Sequence, residues 1–315
     1  MISRNPSPAS KVNKFKELAR RVVEHHFGSR PGRIAFKTGG LSNFVFGVKH
    51  REGDFVVRIS PDAAAVNSFI KEQWTQQAAH KAGVPTAEIL EVGSSVIPHP
   101  YMITRTVDGD DASSHPMRLE ILREMGRLAA RIHSVPTKGF GTTFDWSNNL
   151  LSRNESWKEY LEVEYNFEGK LEILARHGVA DTGKIKSLRK TFRDAVGLRA
   201  KPVLNHGDLR LKNVLADKNG KITALIDWEK ATSHLAPHWE LSLALHDLGI
   251  DEKQHFIEGY GIKPKKLSEA APLVKAFNML NYIPEVDRAV REKDKARLDH
   301  IRARFAGIYD LYSVA

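Results

Sequence analysis

The stretch from Val203 to Glu229 constrains this chain more than any other, because its polar residues stand at the ends of short apolar runs. It reads Val203-Leu-Asn-His206-Gly207-Asp208-Leu-Arg-Leu-Lys-Asn213-Val-Leu-Ala, then Ile222-Thr-Ala-Leu-Ile226-Asp227-Trp228-Glu229. Val203 and Leu204 precede the first polar group, Val214 and Leu215 follow the second, and Ala224 to Ile226 lead into the third. Polar side chains bracketed in this way sit at strand ends and are expected to converge on one solvent pocket. Asp208 is followed five residues later by an amide, Asn213, and fourteen residues after that by Asp227. Asn and Asp offer hard oxygen donors, a set that suits Mg²⁺ when phosphates and water fill its remaining positions. Asp208 is then left to hydrogen-bond an incoming hydroxyl. Phosphoryl transfer needs this arrangement: a placed nucleophile, held phosphates and neutralised charge.

Other chemistries are excluded by composition. The 315 residues contain no cysteine, so disulfides, thiolate metal sites, Fe–S clusters and cysteine nucleophiles are ruled out. The same absence fits a reducing compartment, and the expected location is the cytoplasm. The longest apolar run, Ala63 to Val66, is far short of the ~20 residues of a membrane-spanning helix. Met1 to Ser10 holds no apolar segment of a secretory signal. A net charge of +10 favours an anionic partner, but the excess is spread along the chain. Its densest cluster, Arg288 to Arg304, is interleaved with Glu292, Asp294 and Asp299, and reads as a solvated helix face rather than a nucleic-acid surface. The sequence shows no recognised nucleic-acid motif, and oligomeric state cannot be read from it.

A length of 315 residues suggests about two domains or lobes at ~150 residues each. Lys11 to Phe27 has helical spacing, ended by Gly28. Asn43–Val48 and Asp54–Ile59 flank the turn His50-Arg51-Glu52-Gly53, which predicts a hairpin. Asn67 to Lys81 returns to helical spacing, with Ile70, Trp74 and Ala78 on one stripe and Gly83-Val84-Pro85 stopping it. Two short strands follow, Glu88–Val92 and Tyr101–Val107. Beyond Asp110 the pattern is mostly helical: Met117–His133, Ser156–Ala175, Thr182–Leu198 and 236–313, interrupted by the strands and loops of Pro202–Trp228. The expected class is α+β. The expected division is a sheet-rich N-terminal lobe, residues 1–107, and a helical C-terminal lobe, residues 108–315, that carries the catalytic and metal-binding loops and the substrate pocket.

His206-Gly-Asp208-x4-Asn213 and Ile226-Asp227-Trp228 resemble the catalytic and metal-binding motifs of the aminoglycoside phosphotransferase and choline kinase group, a branch of the protein-kinase-like fold. The resemblance covers most of the chain. Gly39-Gly40-Leu-Ser42-Asn43 resembles the nucleotide loop, and Asp54-Phe-Val-Val-Arg58-Ile the third strand. Glu72 stands where the group's helix carries its acidic partner. Tyr101 to Gly109 looks like the inter-lobe linker, and Leu128 to His133 is similar to a helix the group carries. Position 58 holds Arg where the wider kinase fold usually has Lys, which keeps the charge but replaces a point cation with a planar fork.

The resemblance implies a bilobal kinase that binds ATP, with GTP as the alternative, and Mg²⁺. It implies Asp208 as the catalytic base or hydroxyl-orienting group and Asn213 and Asp227 as Mg²⁺ ligands. Gly39, Gly40, Ser42 and Asn43 would cover the nucleotide phosphates near Arg58, which pairs with Glu72. Thr104, Arg105 and Thr106 would line the base in a cleft between the lobes. For each there is a plainer alternative: turn formers for Asp208, Asn213 and Asp227, an outward strand charge for Arg58, an exposed helix residue for Glu72. His206 reads as a structural residue of its loop. His234, His238 and His246 are not expected to form a metal cluster. The implied partner is a small molecule bearing a hydroxyl. Glu162 and Glu240 are candidate substrate contacts, with Glu240 also able to support the metal loop. An aminoglycoside-type acceptor, a choline, ethanolamine or sugar type and a non-catalytic nucleotide sensor remain open. The absence of Asp-Phe-Gly and Ala-Pro-Glu argues against a protein kinase.

Overall fold

The computed structural model describes residues 8–37, 43–144, 146 and 154–307. The described helices and strands, in chain order, begin with α1 (Pro8–Phe27), β1 (Arg33–Lys37), β2 (Phe44–His50), β3 (Gly53–Ile59), α2 (Val66–Lys81), β4 (Ile89–Gly93), β5 (Tyr101–Arg105), β6 (Asp110–Asp111) and α3 (Arg118–Ile132). They continue with α4 (Trp157–Glu159), α5 (Phe167–Arg176), α6 (Thr182–Val196), β7 (Pro202–Asn205), β8 (Val214–Ala216), β9 (Ile222–Leu225) and β10 (Thr232–Leu235). Helices α7 (His238–Ala244), α8 (Ile250–Tyr260), α9 (Pro264–Leu280), α10 (Ile283–Arg291) and α11 (Lys295–Phe305) complete the order. None of the described helices is long and apolar enough to cross a membrane.

The chain forms two compact units, Met1–Ile121 with Leu211–Glu229, and Leu122–Arg210 with Lys230–Ala315. A boundary at 107/108 divides these segments differently. Hydrogen bonding rather than chain order decides the membership of β8 and β9: β6 pairs with β8, and the Leu225 N–H donates to the Pro85 carbonyl at 2.8 Å.

The first unit is built on an antiparallel sheet of order β1-β2-β3-β5-β4. The predicted hairpin is present, His50 opposite Gly53, and Gly53 takes φ +124°, a conformation that favours glycine. Alternation along β3 turns Phe55, Val57 and Ile59 to one face, where Ala19, Val22 and Val23 of α1 complete the core. Val56 and Arg58 point to the opposite face. Helix α2 departs from its sequence pattern. Its buried residues are Phe69, Lys71, Glu72, Thr75, Gln76 and Ala79, whereas Ile70 of the expected apolar stripe is exposed.

In the second unit, β7 pairs antiparallel with β10. Leu171, Leu174, Phe192, Phe277, Val286 and Ile301, from α5, α6, α9, α10 and α11, share one core. The helix expected over Ser156–Ala175 is broken. After α4 the chain makes a π-helical turn, Tyr160–Glu164, and Asn166 adopts φ +50° to cap α5 by accepting a hydrogen bond from the Gly169 N–H.

Candidate active site

Arg58 and Glu72 meet in the first unit as a two-pronged ion pair, Nη1 to Oε2 at 2.7 Å and Nη2 to Oε1 at 3.0 Å. Glu72 is 1% exposed. Burial pushes its carboxyl above the ordinary value, against the pull of Arg58. Burial also works against the Arg58 charge, but Glu72 outweighs it, aided by Asp227 and Glu229, so the guanidinium stays charged. The neighbouring Lys71 is also buried, and its Nζ donates to the Glu229 backbone carbonyl at 3.0 Å. Successive residues of α2 thus reach two distant parts of the chain, β3 through Glu72 and the segment after Asp227 through Lys71.

Asn213 and Asp227 are brought together by one hairpin. Val214 pairs with Leu225 across β8 and β9, and the Ile226 N–H donates to the Asn213 carbonyl at 3.0 Å, so the two residues flank the hairpin's open end. Asp227 takes φ +66°, a left-handed conformation uncommon for a residue with a β-carbon and a form of strain that collects at functional sites. Trp228 anchors it from the next position, fully buried and donating from Nε1 to the Leu225 carbonyl at 3.0 Å. The donor set is one amide and one carboxylate, hard oxygens without sulfur or imidazole, which fits Mg²⁺ with water and phosphate in its other positions. No group of three or more His, Cys, Asp or Glu side chains placed to hold a metal ion occurs among the described residues.

Of the expected nucleotide residues, Gly39, Gly40 and Ser42 lie outside the described residues. Asn43 precedes β2 and is half-buried. The Thr104 hydroxyl donates to the Val56 carbonyl, and the Thr106 N–H donates to the Asp54 carbonyl at 2.9 Å. The Arg105 side chain turns outward to Glu88, 2.7 Å away, and lies over the Phe55 ring.

Asp208 belongs to the second unit, in the loop that follows β7. Its N–H donates to His206 Nδ1 at 3.3 Å, so that His206 shapes the turn. Gly207 adopts φ +78°, and a β-carbon there would come within 2.1 Å of the Lys230 carbonyl oxygen. Glu240 braces the loop from α7. It is fully buried, and its Oε2 accepts from the His206 N–H at 2.6 Å and the Gly207 N–H at 3.3 Å. Burial pushes the Glu240 carboxyl up to about 7 in spite of those donors. The Asp208 carboxylate is itself nearly buried and paired on both oxygens, Oδ1 with Arg210 Nε at 2.5 Å and Oδ2 with Lys230 Nζ at 3.2 Å. Glu162, on the π-helical turn, is exposed, so the two acidic substrate candidates do not share one surface.

The profile of the phosphotransferase enzyme family (APH) matches residues 34–273, three quarters of the chain. The chain belongs to the phosphotransferase enzyme family. No curated protein matches it significantly in sequence. Among solved structures, a thermostable mutant of the aminoglycoside phosphotransferase APH(4)-Ia, in ternary complex with AMP-PNP and hygromycin B, is similar over 94% of this chain and 99% of its own, with 16% identity and a TM-score of 0.65. The macrolide 2'-phosphotransferase MphH from Brachybacterium faecium is similar over 90% of this chain and 97% of its own, with 16% identity and a TM-score of 0.58. The GDP and kanamycin complex of APH(2")-IIia is similar over 92% and 97%, with 15% identity and a TM-score of 0.62. At these identities the likeness concerns the fold, which is α+β and protein-kinase-like.

Three residues of this phosphotransferase escape the sequence reading: Lys71, Arg210 and Lys230. Arg210 stands within the motif itself, but nothing in the spacing says that its side chain folds back onto Asp208. Lys230 does so from 22 positions downstream. Lys71 carries the only available hint, a charged residue beside Glu72 on a face otherwise made of Phe69, Gln76 and Ala79.

Proposed function

We propose that this phosphotransferase moves the γ-phosphoryl group of ATP onto a hydroxyl of a small polar molecule. Asp208 carries the reading: a carboxylate in a loop braced by a fully buried Glu240 and shaped by Gly207 and His206. In this reading Asp208 orients the acceptor hydroxyl and takes its proton as the new O–P bond forms. Asn213 and Asp227 would hold Mg²⁺, which when bound neutralises charge on the phosphates. Arg58, fixed by Glu72, would contact those phosphates through its planar fork. The described part of the nucleotide loop, Asn43, and the backbone at Thr104–Thr106 complete the donor side of the proposal. Ligands named in the neighbours' structures support a nucleotide donor: AMP-PNP in APH(4)-Ia, and GDP in APH(2")-IIia for the GTP alternative.

The acceptor departs from the aminoglycoside type in this proposal. Arg210 and Lys230 beside Asp208 would repel a polycation, and the excess of positive charge in the whole chain adds to that.

An ADP-release assay on the purified protein, run against aminoglycosides, macrolides, choline, ethanolamine and sugars, tests the proposal. Asp208→Asn should leave nucleotide affinity unchanged and lower turnover by about 10²–10⁴. Turnover equal to the parent's would remove Asp208 from the chemistry. Nucleotide binding with no transfer to any acceptor would favour a sensor.

A further inference from the structure

The Arg304 side chain of α11 is held in place chiefly by neutral groups among the described residues. One terminal nitrogen donates to the His246 backbone carbonyl at 2.9 Å, and the guanidinium lies over the Tyr282 ring, 5.2 Å from its centre. Among the described residues its only carboxylate within reach is Asp247, at 4.0 Å and 61% exposed. Such a surface pair contributes little and yields readily to a better-placed anion. Arg304 itself keeps 32% of its side chain accessible. A preorganised, under-compensated guanidinium is suited to a carboxylate or phosphate, which can accept two parallel hydrogen bonds from it.

The groups around it add a second donor. Asn278 Nδ2 donates to the Ser242 carbonyl at 2.6 Å, which fixes the orientation of the amide, and the same nitrogen lies 2.9 Å from His246 Nδ1. Nδ1 is therefore the acceptor, and the ring proton sits on Nε2, facing the Tyr282 oxygen. Burial lowers the His246 pKa, Asp247 pulls it up, and Arg304 and Arg210 push it down, leaving the ring neutral. With its oxygen already accepting, Tyr282 has its hydroxyl hydrogen left to give. Arg210 connects this corner to Asp208: its Nε is on the Asp208 carboxylate, and its charge is felt at His246. Arg210 and Lys230 on Asp208, and Arg304 beside His246, each keep part of their side chain accessible, and whereas Glu240 and Asp208 are buried, Asp247 is open to solvent.

We propose that the acceptor is an alcohol that also carries an oxyanion, a carboxylate or a phosphate, and that Arg304 and Tyr282 receive this group while its hydroxyl is presented to Asp208. The inference rests on the kinase reading above. It separates this chain's acceptor from polycationic antibiotics by charge.

Two matched series test it: glycerol, glycerate and glycerol 3-phosphate, and glucose, gluconate and glucose 6-phosphate. Binding is read as a thermal shift without nucleotide, and transfer as ADP release. The charged members should bind the parent and serve as acceptors, and the neutral members should be at least tenfold poorer. The carboxylate and phosphate arms then tell which oxyanion is preferred. Arg304→Gln should raise Kd for the charged members about 10- to 100-fold, the loss of a hydrogen bond between charged groups. Asp247→Asn, which removes the competing carboxylate, should tighten the same binding, and it serves as the control if Arg304→Gln fails to fold. Neutral acceptors turned over as well as charged ones, with both variants unchanged, would overturn the inference and leave the kinase reading standing. Binding that depends on Arg304 without transfer to any compound would instead sink the kinase reading, and with it the identification of the bound anion as an acceptor.

Discussion

Both carboxylate oxygens of Glu72 hold the Arg58 guanidinium, at 2.7 and 3.0 Å, in a pair that water scarcely reaches. Breaking a buried pair from one side leaves an uncompensated charge and costs about 3–5 kcal/mol. Glu72→Ala should therefore lower the denaturation midpoint strongly, as followed by chemical denaturation. Arg58→Lys should cost less but should weaken nucleotide binding, since a single ammonium cannot satisfy both Glu72 oxygens and a phosphate together. An Arg58→Lys protein with parental nucleotide affinity would show that the fork is unnecessary.

Lys71 acts one residue earlier, through the carbonyl of Glu229. Through that contact it is expected to act as a positioning residue for the turn that presents Asp227. Lys71→Met should raise the Mg²⁺ concentration needed for nucleotide-induced thermal stabilisation by about 10-fold, the usual scale for groups that orient metal ligands. Lys71→Arg should recover most of it. An unchanged Mg²⁺ requirement in a folded Met variant would rule out the positioning role.

Gly207 answers for the shape of the loop that carries Asp208. Its positive φ and the 2.1 Å approach of the Lys230 carbonyl leave no room for a methyl group. Gly207→Ala should destabilise the protein by about 1–3 kcal/mol and lower turnover in ADP release. A similar close approach joins α3 to α8, where a β-carbon on Gly259 would lie 1.8 Å from the Arg123 carbonyl oxygen. Gly259→Ala should lower stability without changing the kinetic constants of the folded fraction. Equal effects of the two variants on turnover per folded molecule would deny the loop its special status.

Acid should weaken this protein before it weakens most carboxylate pairs. Burial holds His234 well below its ordinary 6.5, with its ring stacked on Trp239 and edged by Trp157, Tyr160 and Phe277. Burial likewise lowers His133 to about 3 and His238 to about 4. The unfolded chain binds their protons more readily, so their contribution is complete above about pH 6.5 and is lost as pH falls towards the folded values. Glu240 has the opposite sign. Raised by burial from 4.5 to about 7, it contributes fully below about 4.5, and that contribution is lost as pH rises through 7. Between 6.5 and 4.5 the histidines outnumber it, and Tm should fall on acidification. Each histidine is worth at most about 1.4 kcal/mol per pH unit. His234→Phe keeps the stacked ring but not the titration, so its Tm curve below pH 6.5 should be shallower. Parallel curves for parent and variant would acquit His234.

The readable parts of this chain are those whose signal is local. The hairpin at Gly53 and the β8–β9 arms announce themselves by short apolar runs and turn residues, and Asp208, Asn213 and Asp227 stand out because apolar neighbours frame them. Helix α2 misleads for a physical reason. Hydropathy picks the Ile70, Trp74 and Ala78 stripe, yet the inward face carries Lys71 and Glu72, since Arg58 and the Glu229 carbonyl supply partners that periodicity cannot show. Lys230 is hidden for the same reason, and Glu240 shows in the sequence only as a candidate, without the loop groups it braces. Their roles exist only after β7 and β10 pair and α7 lies against the loop. The break at Asn166 was equally out of reach, because a left-handed asparagine leaves no mark on helical spacing.

The two expected cation ligands share one hairpin, and its backbone alone fixes how far apart they stand. The fourteen-residue interval between Asn213 and Asp227 is therefore a measure of arm length, with no chemical content of its own. Its far tip, where Asp217 receives the N–H groups of Asn219 and Lys221, is remote along the chain from both donors. Chains with longer or shorter tips at this point would keep the same separation of amide and carboxylate, and a pattern that insists on the interval would overlook them.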